Sequence, residues 1–128
     1  MFELLNMNPE WPIDTTFAKR GKFRKFGAKY PREYASLFGN LEKVLRILRQ
    51  GSRMHSFQIG FFRSEGGGVF RIGQTGVPSA KESRLYVYPN EQNHTMYLLT
   101  IGTKDGQSED INEAKALASQ IKSEPTGV

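Results

Sequence analysis

The apolar positions of this chain change period several times, and each change marks an element. Tyr34, Leu37, Phe38, Leu41, Val44, Leu45 and Leu48 recur at three- and four-residue steps, the stripe of one helix face. Pro31 suits the first position of that helix and Gly51 the residue past its end. Ahead of it, Phe23, Phe26 and Tyr30 form a shorter stripe, for which Asp14 or Thr15 is the expected cap. Gly21 and Gly27 weaken this first helix and leave room for a break. Residues 1–14, with Pro9, Trp11 and Pro12, lack periodicity and read as an irregular arm, with a short edge strand at Phe2–Leu5 and Trp11 plugging the core.

Beyond Gly51 the period shortens to two. His55–Arg63 reads as a strand, Ser64–Gly68 as a turn, and Val69–Thr75 as the returning strand, with Phe70 and Ile72 on one face and Val69, Arg71 and Gly73 on the other. A glycine inside a strand leaves room for close approach. After a loop at Gly76–Glu82, the next strand puts Arg84, Tyr86 and Tyr88 on one face with Leu85 and Val87 behind. The turn Pro89–Asn93 leads to Met96–Ile101, apolar except at Thr100, the pattern of a strand covered on both faces. Gly102 is expected to end it. A last helix is predicted from about Glu109 to Ser123, capped by Ser108, with Ile111, Ala114, Leu117, Ala118 and Ile121 as its stripe; residues 124–128 are an expected frayed tail. Helix, helix, four strands, helix predicts one α+β domain over 1–128: helices gathered on one side of a mainly antiparallel, twisted sheet of about four strands.

Composition narrows the chemistry. The 128 residues suffice for one core, and the absence of cysteine excludes disulfides and thiolate metal sites and fits a reducing cytoplasm. Neither a basic leader nor a long apolar run is visible, so a soluble cytoplasmic protein without membrane association is expected. The net charge is +5, and it is unevenly spread. Lys19, Arg20, Lys22, Arg24, Lys25, Lys29 and Arg32 fall between Phe17 and Arg32 with no acid among them, whereas from Asp105 onward the balance is acidic. Such polarity suits a polyanionic partner, most simply nucleic acid; a solvated helix face carries the same run.

Metal and triad chemistry find little support. His55 and His94 stand far apart, no zinc spacing exists, and neither histidine adjoins a nucleophile motif. The triple glycine at Gly66–Gly68 lacks the lysine and the strand-to-helix context of a phosphate loop. What remains is a cationic set, Arg71, Arg84 and Lys104, on successive strands or their ends. If they converge they form a phosphate cradle, arginine binding bidentately and lysine as a compact charge. Spacing alone favours three scattered surface cations.

From Gly102 to Lys115 the spacing G-x-K-x-x-Q-x-x-D-I-x-x-A-K resembles the C-terminal signature of RelE/HigB-like toxins of type II toxin–antitoxin modules, in the addiction-module killer protein branch of the RelE/ParE superfamily. Val69-Phe70-Arg71-Ile72 looks like that family's strand whose basic residue contacts mRNA. Ser83-Arg84-Leu85-Tyr86-Val87-Tyr88 is similar to its Y-R-[LV]-x-Y strand. The match covers about residues 69–122. It implies a ribosome-dependent mRNA endonuclease in which the substrate 2′-OH attacks the neighbouring phosphate, without metal or other cofactor, and whose partners are a cognate antitoxin, the ribosome and mRNA. Arg71, Arg84 and Lys104 would be the catalytic set, and Tyr86 and His94 would stack or transfer protons. Lys19, Arg20, Lys22, Arg24, Lys25 and Lys29 would grip nucleic acid or an acidic antitoxin. Asp110 stands where RelE has a catalytic tyrosine and Gly73 where it has a second sheet lysine, so Gln107 and Asp110 are expected to shape the loop and helix cap. The resemblance leaves two alternatives open: a ParE-like gyrase poison, and a non-catalytic member that binds nucleic acid or antitoxin.

Overall fold

The computed structural model describes residues 10–51 and 59–124. The expected edge strand at Phe2–Leu5, His55, and the tail beyond Glu124 lie outside them. In chain order the elements are β1 (Ile13–Asp14), α1 (Arg20–Lys29), α2 (Pro31–Arg49), β2 (Phe62–Gly66), β3 (Val69–Gly73), β4 (Ser83–Asn90), β5 (Thr95–Thr103), a 3₁₀ turn (Lys104–Gly106) and α3 (Gln107–Ser123). The strands form one sheet in the order β1-β5-β4-β3-β2. The α+β class and the antiparallel run from β2 to β5 are as the periodicity predicts.

Two expectations are corrected. The sheet has five strands, because Ile13–Asp14 of the presumed arm pairs parallel with Met96–Tyr97 at the β5 edge. The helices also do not share one side. Ile72, Leu85, Val87 and Ile101 pack with Leu37, Leu41, Val44 and Leu45 of α2 and with Phe23 and Phe26 of α1. Their alternates Val69, Tyr86 and Leu99 pack with Ala114, Ala118 and Ile121 of α3. Successive strand residues face opposite ways, so α3 forms a third layer on the face that carries Arg71 and Arg84.

Local boundaries follow local chemistry. Asp14 does not cap α1; its Oδ1 accepts from the Thr16 amide at 2.7 Å, an Asx turn that uses up the residues before the helix. Helix α1 begins at Arg20 without a side-chain cap and runs through both glycines. Pro31 does open α2, and Gly51, with φ 95°, follows its end. Between β2 and β3, Gly67 and Gly68 take φ 65° and 87° in a two-residue hairpin loop, a conformation that residues with a Cβ resist. Helix α3 starts two residues earlier than expected, at Gln107, directly from the 3₁₀ turn, and Ser108 is inside it rather than its cap. Among the described residues no helix is long and apolar enough to cross a membrane.

Candidate functional site

The register of the sheet places Arg84 between two glycines, Gly73 on β3 and Gly102 on β5. The space over each is used differently. Above Gly102 lies the carboxylate of Asp110, so close that a β-carbon there would meet Oδ2 at 2.0 Å. Above Gly73 a β-carbon would come no nearer than 4.0 Å, to the Phe61 carbonyl. That space belongs to a cleft of about 770 Å³ lined by Arg63, Arg71, Gly73, Gln74, Glu82 and Arg84. Arg63 stands directly opposite Arg71 across β2 and β3, so three guanidinium groups border one hollow beside the N-terminus of α3.

The hollow is not a bare positive surface. Arg71 Nε lies 3.4 Å from Glu65 Oε2. Arg84 is only 9% exposed, with Nη1 donating to Gln107 Oε1 and Nη2 to Glu82 Oε2 at 2.7 Å. Lys104, on the 3₁₀ turn at the rim, points its ammonium at the other oxygen of the same carboxylate, 3.8 Å away. Arg84 and Lys104 therefore converge, but on Glu82. Lys81 adds a second tie across this rim, pairing with Asp105 at 2.6 Å; that bond holds the Asp105 carboxyl below its ordinary range and lifts the Lys81 ammonium.

Three groups of expected site residues are elsewhere. Tyr86 is fully buried under α3, and its hydroxyl has no hydrogen-bond partner among the described residues. Burial pushes its phenol up to about 12, so it stays protonated near neutrality. His94 precedes β5 whereas Lys104 follows its end, which separates them by roughly 30 Å of strand. There His94 stacks on Trp11 and pairs with Glu10. Lys19 and Lys22 belong to the fold: Lys22 Nζ donates to Asp110 Oδ1 at 2.8 Å, Glu113 Oε1 at 2.9 Å and Thr100 Oγ1 at 2.6 Å, and Lys19 reaches Glu113 at 3.3 Å. Burial alone would lower the Lys22 ammonium, but the bonds and charges of Asp110 and Glu113 outweigh it and raise it. For Glu113, burial works upward and Lys22 prevails, holding the carboxyl down. Lys29 lies over the Tyr30 ring. Arg20, Arg24 and Lys25 are exposed on α1 without an ion pair among the described residues.

The G-x-K-x-x-Q-x-x-D stretch thus has a physical meaning. Gly102 makes space for Asp110, Asp110 anchors Lys22 of α1, and Gln107 orients the guanidinium of Arg84. Gln107 and Asp110 act as positioning groups at the start of α3 rather than as a loop cap. Arg63 is the cleft residue that sequence reasoning missed. Its placement depends on the pairing register set by the Gly67–Gly68 loop, and the strand predicted at His55–Arg63 ended where the observed one begins.

These features define an α+β domain with an arginine-bordered cleft on the α3 face of its sheet. No family model matches the chain, and no curated protein matches it. Among solved structures it is similar to the free-state structure of a double-arginine mutant of the E. coli toxin RelE, with a TM-score of 0.49 and 16% identity over 84% of this chain and 97% of that one. A likeness of that degree transfers no activity.

Proposed function

We propose that this chain is the toxin of a type II toxin–antitoxin pair and that it cuts mRNA on the ribosome in the cytoplasm. The observation that carries the reading is the gathering of Arg63, Arg71 and Arg84 around one cleft, with Lys104 reaching Glu82 of its lining, together with the motif from Gly102 to Lys115 that resembles the toxin signature. In this reading the substrate 2′-OH attacks the adjacent phosphate. The protein's part is to fix the ribose-phosphate in line and to stabilise charge gathering on the phosphate oxygens. Arg84, oriented by Gln107, and Arg71 supply that stabilisation; Lys104 is the second clamp or the proton donor to the leaving oxygen. Arg20, Arg24 and Lys25 offer phosphate contacts to ribosomal RNA, or a surface for an acidic antitoxin.

A binding-only reading has two observations in its favour: among the described residues no histidine lines the cleft, and Tyr86 is sealed beneath α3. Expression in bacteria with mapping of mRNA ends on translating ribosomes separates the alternatives. Codon-phased cuts support the nuclease, DNA damage without cuts supports a gyrase poison, and normal growth supports a non-catalytic binder.

A further inference from the structure

The carboxylate of Glu82 spans the two cations that the nuclease reading assigns to the substrate. One oxygen lies 2.7 Å from Arg84 Nη2 and the other 3.8 Å from Lys104 Nζ. A bridging carboxylate presents two anionic oxygens to a guanidinium and an ammonium, as a phosphate does. We propose that Glu82 is a built-in competitor for anions: it holds the phosphate position of the Arg84–Lys104 pair and must swing out before an anionic ligand binds. The inference rests on reading that pair as an anion site.

The two ends of this contact are held unequally. The Arg84 side chain is 11% exposed and is fixed from its other nitrogen by Gln107, whereas the Glu82 side chain is 51% exposed. Glu82 closes the strand-free connection between β3 and β4, and its backbone is tied separately, its carbonyl accepting from the Lys104 amide at 2.9 Å. The carboxylate is therefore the exchangeable partner. It can rotate to solvent while the loop stays docked and Gln107 keeps the guanidinium aimed. An ion pair with one partner so exposed is weak, so displacement costs little. The consequence is a threshold: a lone anion competes poorly, and a polyanion held by further contacts, such as those of Arg63 and Arg71, competes well.

Inorganic phosphate, titrated into the full chain at constant ionic strength and followed through the Arg84 Nε–H resonance, tests this. Glu82→Gln and Glu82→Ala each remove the competing charge; Glu42→Gln, at an exposed position of α2 on the opposite face, changes net charge equally and serves as control. Both Glu82 variants are expected to bind phosphate roughly threefold or more tightly than wild type, with Glu42→Gln unchanged. Wild type binding at Arg84 with equal or weaker binding in the Glu82 variants overturns the competitor role and leaves the anion site standing. An equal gain in Glu42→Gln also overturns it, since net charge then suffices. No binding at Arg84 in any variant removes the anion site and the competitor together.

Discussion

The carboxylate of Asp110 rests on the α-carbon of Gly102, in space that a single methyl group would fill. This contact fixes the start of α3 on the sheet and leaves Asp110 Oδ1 free to bind Lys22. Gly102→Ala should therefore cost about 1–3 kcal/mol by overpacking. In an Asp110→Ala background the added methyl meets no carboxylate, so its cost should fall. A double-mutant cycle by urea denaturation measures the coupling, and additive losses would show that the two residues do not share this space.

Lys22 joins α1 to α3 through Asp110 and Glu113, and the linkage gives stability a defined pH window. The folded-state carboxyl of Glu113 is lowered from 4.5, so its contribution is present above that value and is lost as pH falls through the lower, folded one. The Lys22 ammonium is raised from 10.5, so its contribution is present below that value and is lost as pH rises through the folded one. Lys22→Met should cost roughly 1–2 kcal/mol near neutrality. The difference from wild type should shrink as pH falls below 4.5 and as it rises above 10.5. Urea midpoints across pH check it; a difference independent of pH would contradict the pairing.

Tyr86 carries a buried hydroxyl with no partner among the described residues, so removing that oxygen frees the protein of a desolvated group. Tyr86→Phe should be neutral or stabilising by up to about 1 kcal/mol, and should leave any nuclease activity intact. Absorbance titration of the folded protein should lose a phenol ionising near 12. A loss of activity with retained fold would return Tyr86 to the chemistry.

Among the described residues Arg20, Arg24 and Lys25 have no ion pair, unlike Lys19 and Lys22. Replacing all three with glutamine should change stability by less than about 0.5 kcal/mol per site. If each meets one RNA phosphate, the slope of log affinity against log salt for ribosomal RNA should fall by about 2. An unchanged slope would assign the row to solvent.

How far the sequence disclosed the structure depends on the range of the interactions. Helix α2 and the stripe of α3 were legible because 3.6-residue periodicity is written into consecutive positions. The apolar run Met96–Ile101 announced a strand covered on both faces, which already conflicted with placing every helix on one side; α3 supplies the second cover. The two-residue β1 carries no period of its own and exists only through its pairing with β5. In the site, alternation along β3 and β4 put Arg71 and Arg84 on one face, but Arg63 required the register. The carboxylates that meet each cation were invisible, since Glu65, Glu82 and Glu113 find their partners through the fold rather than through spacing.

The central claim is that Arg84, aimed by Gln107 into the cleft, stabilises the phosphate during cleavage. It is tested most directly by counting mRNA cuts on purified translating ribosomes with wild-type protein and with Arg84→Ala, the variant's fold being verified by its amide spectrum. The account predicts that cuts fall by about 10²–10³-fold while the fold is retained. Undiminished, codon-phased cutting by a folded Arg84→Ala protein would contradict it.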